Sequence, residues 1–204
     1  MSKFKKVLNL FLCITLIVTF SKCTCEQTEF NWNGIRPEVR ADVELFEGFE
    51  RIATNYISRG GETPNEWYLK SAIMQNATEK ELISLTDYPV SSIRAVALDA
   101  LLKRPNTDHY KWIMKALNDT TGFFEFQVGC ISDVQMVGEY IIQSNSIVKI
   151  DSLFLPPPPI QSKKIFFSKE QLESIKVLYK EMLARKWEYY YDFYKDEMVE
   201  FELE

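Results

Sequence analysis

"SSIRAVALDALLKRP", residues 91 to 105, narrows the folds open to this chain more than any other stretch. Read as a helix it puts Ile93, Ala97, Ala100 and Leu101 on one side and Val96, Leu98 and Leu102 beside them, so apolar residues occupy most of its circumference. Pro105 stops it, and Ser91 or Ser92 stands where a helix cap is expected. Asp99 and Lys103, four residues apart, form an expected ion pair on a narrow wet face. Such a helix cannot bury itself. It predicts a core in which other helices surround it, approaching closely over the alanines.

The flanking sequence supplies the neighbours. In "NATEKELISLTDYP" Thr78 and Glu81 have the spacing of a capping box, and Tyr88 with Pro89 ends the helix they open. "RPEVRADVELFEGFERIATNYI" carries Pro37 at a first turn and Val39, Val43, Phe46, Phe49, Ile52, Ala53 and Tyr56 at three- and four-residue spacing. That spacing predicts one long amphipathic helix, ended by Gly60 and Gly61. "EWYLKSAIM" is a shorter helix. Further on, Ser168 and Gln171 form a second capping box, opening a helix with Leu172, Ile175, Leu178, Tyr179, Met182 and Leu183 on its apolar side. Between the two regions Pro156 to Pro159 favour polyproline II and predict a stiff connector.

The segment "ELISLTDYPVSSIRAVALDALLKR" resembles one unit of a HEAT-type, armadillo-like helical repeat: two helices, Asp87 in the turn, then Ile93-Arg94 and a run of alanine and leucine. Downstream, Leu117-Asn118-Asp119 echoes Leu85-Thr86-Asp87 at an offset of 32 residues, shorter than the roughly 40 to 47 usual for such repeats. Phe126 stands where a second Arg94 would. The resemblance covers about residues 78 to 143. It implies an all-α fold, a short stack of antiparallel helical hairpins forming a right-handed α-solenoid fragment, with the long C-terminal helix packed on it. It also implies that Arg94 leaves the first turn of its helix to bond Asp87, or Asp119 of the next unit, tying hairpins together. Proteins of this kind bind other proteins.

The start of the chain has a different character. Lys3, Lys5 and Lys6 precede an apolar run from Val7 to Phe20, the shape of a secretory signal and short of the ~20 residues a spanning helix needs. "SKCTCE" follows, and a cysteine directly after the run resembles the lipidation site of a bacterial lipoprotein, at Cys23 or Cys25. Ordinary cleavage at a small-x-small site stands beside that reading. The expected location is outside the cytoplasm, in the periplasm or on the outer surface. Membrane contact is expected only through a lipid or an uncleaved signal. Loss of residues 1 to 22 removes four lysines and no acid, leaving 20 basic against 29 acidic residues, a formal charge of -9. Nucleic acid and anionic lipid are poor partners for such a chain.

Catalytic motifs are missing. His109 is the single histidine, which excludes multi-histidine metal chemistry, and there is no HExxH, nucleophile elbow, glycine-rich phosphate loop or paired CxxC. No cofactor, metal or catalytic residue is expected. A pair of carboxylates needs no local motif, so a small hydrolase-like envelope enzyme remains the alternative. Binding chemistry is richer. Trp187, Tyr190, Tyr191 and Tyr194 cluster late in the C-terminal helix, either closing the end of the core or facing a partner. Glu188, Asp192 and Asp196 beside them read as a solvated face. The resulting organisation is a signal over 1–22, a flexible segment over 23–35, the helical domain over 36–150, a proline-rich connector over 151–167, and an aromatic, acidic helix over 168–204. The expected function is scaffolding or binding through protein–protein contact in the cell envelope.

Overall fold

The computed structural model describes residues 30–57, 61–148 and 165–201, with side chains as far as Lys195. Contacts divide the chain into Met1–Asn31 and Trp32–Glu204, and the architecture is that of the second unit. The signal-like segment, Cys23 and the proline run lie outside the described residues.

The first helix, α1, spans Pro37–Glu47 with Pro37 in its first turn and Val39, Val43 and Phe46 buried. It does not continue to Tyr56. Gly48 caps it and Glu50 takes a φ of 52°, after which β1 runs from Arg51 to Ile57. Ile52, Thr54 and Ile57 are β-branched, and an extended backbone suits them. Ile52 and Ala53 are buried all the same. Burial at those two positions satisfies a helical spacing as well as a strand, so the apolar pattern does not separate the two.

Four helices follow: α2 (Asn65–Asn76), α3 (Glu79–Leu85), α4 (Ser91–Leu102) and α5 (His109–Leu117). The capping box of α3 forms as expected, Thr78 accepting from the Glu81 amide while Glu81 accepts from the Thr78 amide. In α4 neither serine caps. Val90 holds the cap position, and Ser91 Oγ instead donates to the Phe123 carbonyl at 2.8 Å. Every residue of α4 is buried, and the helix packs against α1, α2, α3 and α5. Asp99 is therefore buried as well, although its ion pair with Lys103 forms at 2.8 Å.

After α5 the expected second helical hairpin is interrupted by a β-hairpin, β2 (Phe123–Gly129) and β3 (Ile131–Met136). Gly129 makes the turn at a φ of +60°, a conformation that favours glycine. The three strands form one sheet in the order β1-β2-β3. β1 is parallel to β2, with Arg51 opposite Glu125, and β2 is antiparallel to β3, with Phe123 opposite Met136. The fold is mixed α and β, and the all-α expectation is overturned. "FFEFQV" is aromatic and β-branched, so strand pairing outweighs the helical echo; Phe126, aligned with Arg94 in the sequence, sits inside β2.

Two helices complete the described fold, α6 (Val137–Ser144) and α7 (Lys169–Phe201). α1 packs on α2, α3 on α4 and α5 on α6, while α2, α4 and α6 contact one another in that order. The strands fall in the connections within the first and third of these pairs. α7 lies on α5 and α6. The approach is close at Gly138, where an added Cβ would stand 2.8 Å from the Ala116 carbonyl oxygen and Met182 Sδ and 2.9 Å from Leu117 Cα.

Candidate functional site

Three groups of side chains could carry function, and each is built from elements that the sequence keeps far apart. The first surrounds Arg94. Its Nε bonds Asp119 Oδ2 at 2.7 Å, and its Nη2 bonds Asp119 Oδ1 and Thr121 Oγ1, each at 3.1 Å. Nη1 donates to the carbonyls of Tyr88 and Pro89 at 2.9 and 2.6 Å. All five guanidinium N–H groups are thereby used, which leaves none for a ligand. Asp87 is not its partner. That carboxylate is bonded by Lys115 Nζ at 2.6 Å, and the same ammonium bonds Thr86 Oγ1 at 2.8 Å. Arg94 and Lys115 thus hold the α3–α4 turn to the α5 region from two directions.

The second group crosses α2, α4 and α6. Lys70 Nζ donates to Tyr140 OH at 3.4 Å, and Tyr140 OH donates to Asp99 Oδ2, also at 3.4 Å. Asp99 accepts in addition from Lys103 Nζ at 2.8 Å and from Asn145 Nδ2 at 3.1 Å. Burial lowers the pKa of the Lys70 ammonium, opposed by the Asp99 charge and assisted by Lys103. Burial first, then Asp99, raises the Tyr140 phenol well above its ordinary value. The sequence shows the Asp99–Lys103 spacing but not this seam. Lys70 and Tyr140 come from two other helices and Asn145 from the C-cap of the second, and no linear motif joins them.

The aromatic end of α7 is the third group, and the structure divides it. Tyr190 and Tyr194 are half-buried and set against Phe123, with ring centroids at 5.2 and 6.4 Å. Trp187 and Tyr191 are 67% and 62% exposed. Trp187 touches the cluster only at its edge, 5.6 Å from the Tyr190 ring. Phe123 is the anchor that sequence reasoning missed; lying in an unexpected strand, it carried no signal of its place. Of the acidic line, Glu188 is bonded by Arg185 at 3.0 Å and Asp192 is exposed.

Among the described residues the remaining buried acids are each matched by a cation. Glu66 pairs with Arg51 at 2.7 Å, Glu81 with Arg36 at 3.0 Å, and Glu139 with Lys186 at 2.8 Å. The hydrogen bond from Arg36, with further bonds from Thr78, holds the Glu81 carboxyl at about 2. For Glu139 burial raises the pKa against the pull of Lys186. His109 bonds the Arg104 carbonyl at 2.9 Å. Among the described residues no group of three or more His, Cys, Asp or Glu is placed to hold a metal ion, and no helix is long and apolar enough to cross a membrane. Comparison with protein-family models, with curated proteins and with solved structures finds no match to this chain.

Proposed function

We propose that this chain is an exported protein-binding module whose contact surface is the aromatic end of α7. The observation that carries the reading is the division of that cluster: Tyr190 and Tyr194 rest on Phe123, so Trp187 and Tyr191 are presented to solvent on a fixed base. Large rings held rigidly at a surface give contact area with little loss of conformational entropy. The helix pairs support a relation to HEAT-type repeats, as does Arg94 reaching Asp119 of the following pair. Among the described residues, the pairing of every buried acid with a cation favours binding over a carboxylate-pair hydrolase, since a dyad needs two acids facing each other.

The test is site-specific photo-crosslinking of the full chain in its native cell, from position 187 and from exposed Lys80 on α3. A discrete protein adduct from position 187 alone supports the reading, and an adduct-free monomer refutes it. The intact mass of the same preparation tests export: a chain beginning at Cys23 with added acyl mass is a lipoprotein, one beginning there or nearby without it is secreted, and an uncleaved soluble chain refutes export.

A further inference from the structure

The seam across α2, α4 and α6 has no part in the aromatic surface, and its chemistry points elsewhere. Lys70 is a part-buried lysine whose hydrogen bond goes to a phenol and not to a carboxylate. The nearest acid, Asp99, is already bonded through both oxygens, to Lys103 and Tyr140 on one and Asn145 on the other. The groups facing the amine are therefore Tyr140 from α6 and, behind it, Asp99 and Lys103 from α4, the latter a like charge. An amine that is part-buried and hydrogen-bonded to no carboxylate gives up its proton, and so becomes a nucleophile, more readily than an exposed one, the Asp99 charge opposing the effect and Lys103 assisting it. The lowered pKa of Lys70 agrees with that arrangement.

We propose that Lys70 is a reactive amine that captures small carbonyl compounds as reversible imines, with Tyr140 as its proton carrier. The nitrogen lone pair forms a bond to the carbonyl carbon as the π pair moves to oxygen. In one concerted relay the Tyr140 O–H turns from Asp99 to give its proton to that oxygen as it takes one from the nitrogen, so no phenolate is formed. A second proton from nitrogen leaves with the oxygen as water, and a C=N bond remains. Nothing is oxidised or reduced, and hydrolysis reverses the capture. The compound must be small because the amine is part-buried.

The experiment treats the full-length protein at pH 7 with formaldehyde and cyanoborohydride, which reduces each imine to a stable alkylamine, and reads the rate at every lysine by peptide mass spectrometry. Lys70 should be alkylated about tenfold faster than exposed Lys80 and Lys180, the advantage shrinking as pH rises and all lysines lose their protons. A Lys70 rate equal to or below theirs overturns the proposal. Tyr140→Phe should slow Lys70 several-fold and leave Lys80 unchanged; an unaltered Lys70 rate in that variant removes Tyr140 from the reaction. The wild-type rate profile decides the first point even if the variant folds poorly.

Discussion

Arg94 and Asp119 meet side to side, Nε to Oδ2 at 2.7 Å and Nη2 to Oδ1 at 3.1 Å, with both side chains nearly excluded from water. Removing one member of such a pair strands the other. Arg94→Ala should destabilise the fold by about 3–5 kcal/mol, a fall in melting temperature on the order of 10 °C. Arg94→Lys should recover only part of that, because three donors replace five. Thermal unfolding of both variants checks this, and an unchanged melting temperature in Arg94→Ala would remove the architectural role.

Gly138 stands where α5, α6 and α7 converge, and two of the three atoms that a Cβ would meet belong to the backbone of α5. Gly138→Ala should cost about 1–3 kcal/mol. Adding Met182→Ala clears only the sulfur and should fail to restore the denaturation midpoint. Full restoration would show that the backbone is free to move apart.

Glu81 gives the acid limb of the stability curve its sign. Its carboxyl is held at about 2 by the hydrogen bonds from Arg36 and Thr78, below the ordinary carboxylate value. A group with a depressed folded pKa stabilises fully above its unfolded value, and that stabilisation is lost as pH falls through the folded one. Wild-type stability should therefore fall between about pH 5 and pH 2, and Glu81→Gln should flatten that part of the curve. Urea midpoints measured across the range decide it. A curve of the same slope in the variant assigns acid sensitivity to other groups.

The two kinds of ring on α7 should separate in a mutant series. Trp187→Ala and Tyr191→Ala should each change stability by less than about 0.5 kcal/mol, and Tyr191→Ala should abolish the crosslink from position 187. Phe123→Ala, which removes the buried anchor, should cost about 3–5 kcal/mol. Loss of stability in Tyr191→Ala equal to that in Phe123→Ala would make the whole cluster a packing element.

How much of this was legible in the sequence follows the range of the forces involved. The capping boxes at Thr78 and Ser168 are set by residues three apart, and both form as read. The bond from Arg94 to Asp119 was one of two partners that the repeat resemblance implied. The sheet was not legible, because Ile52 and Ala53 are buried in either backbone form and β1 finds its partner only after four intervening helices. A helical wheel, which counts only one helix, places Asp99 in water. It is buried because α6 covers it, bringing Tyr140 and Asn145 to bond its oxygens. The seam at Lys70 escaped for the same reason: it exists only when three helices are side by side.

The parallel pairing of β1 with β2 also constrains how the chain reaches its fold. Arg51 leaves the ribosome long before Glu125. Until the later strand emerges, β1 offers both of its edges unpaired while α2 to α5 are already able to form. A chain threaded outward from its N-terminus would spend that interval with an adhesive strand exposed. Completion of the sheet is therefore expected to wait for β2, with β1 the part of the chain most open to wrong pairing until then.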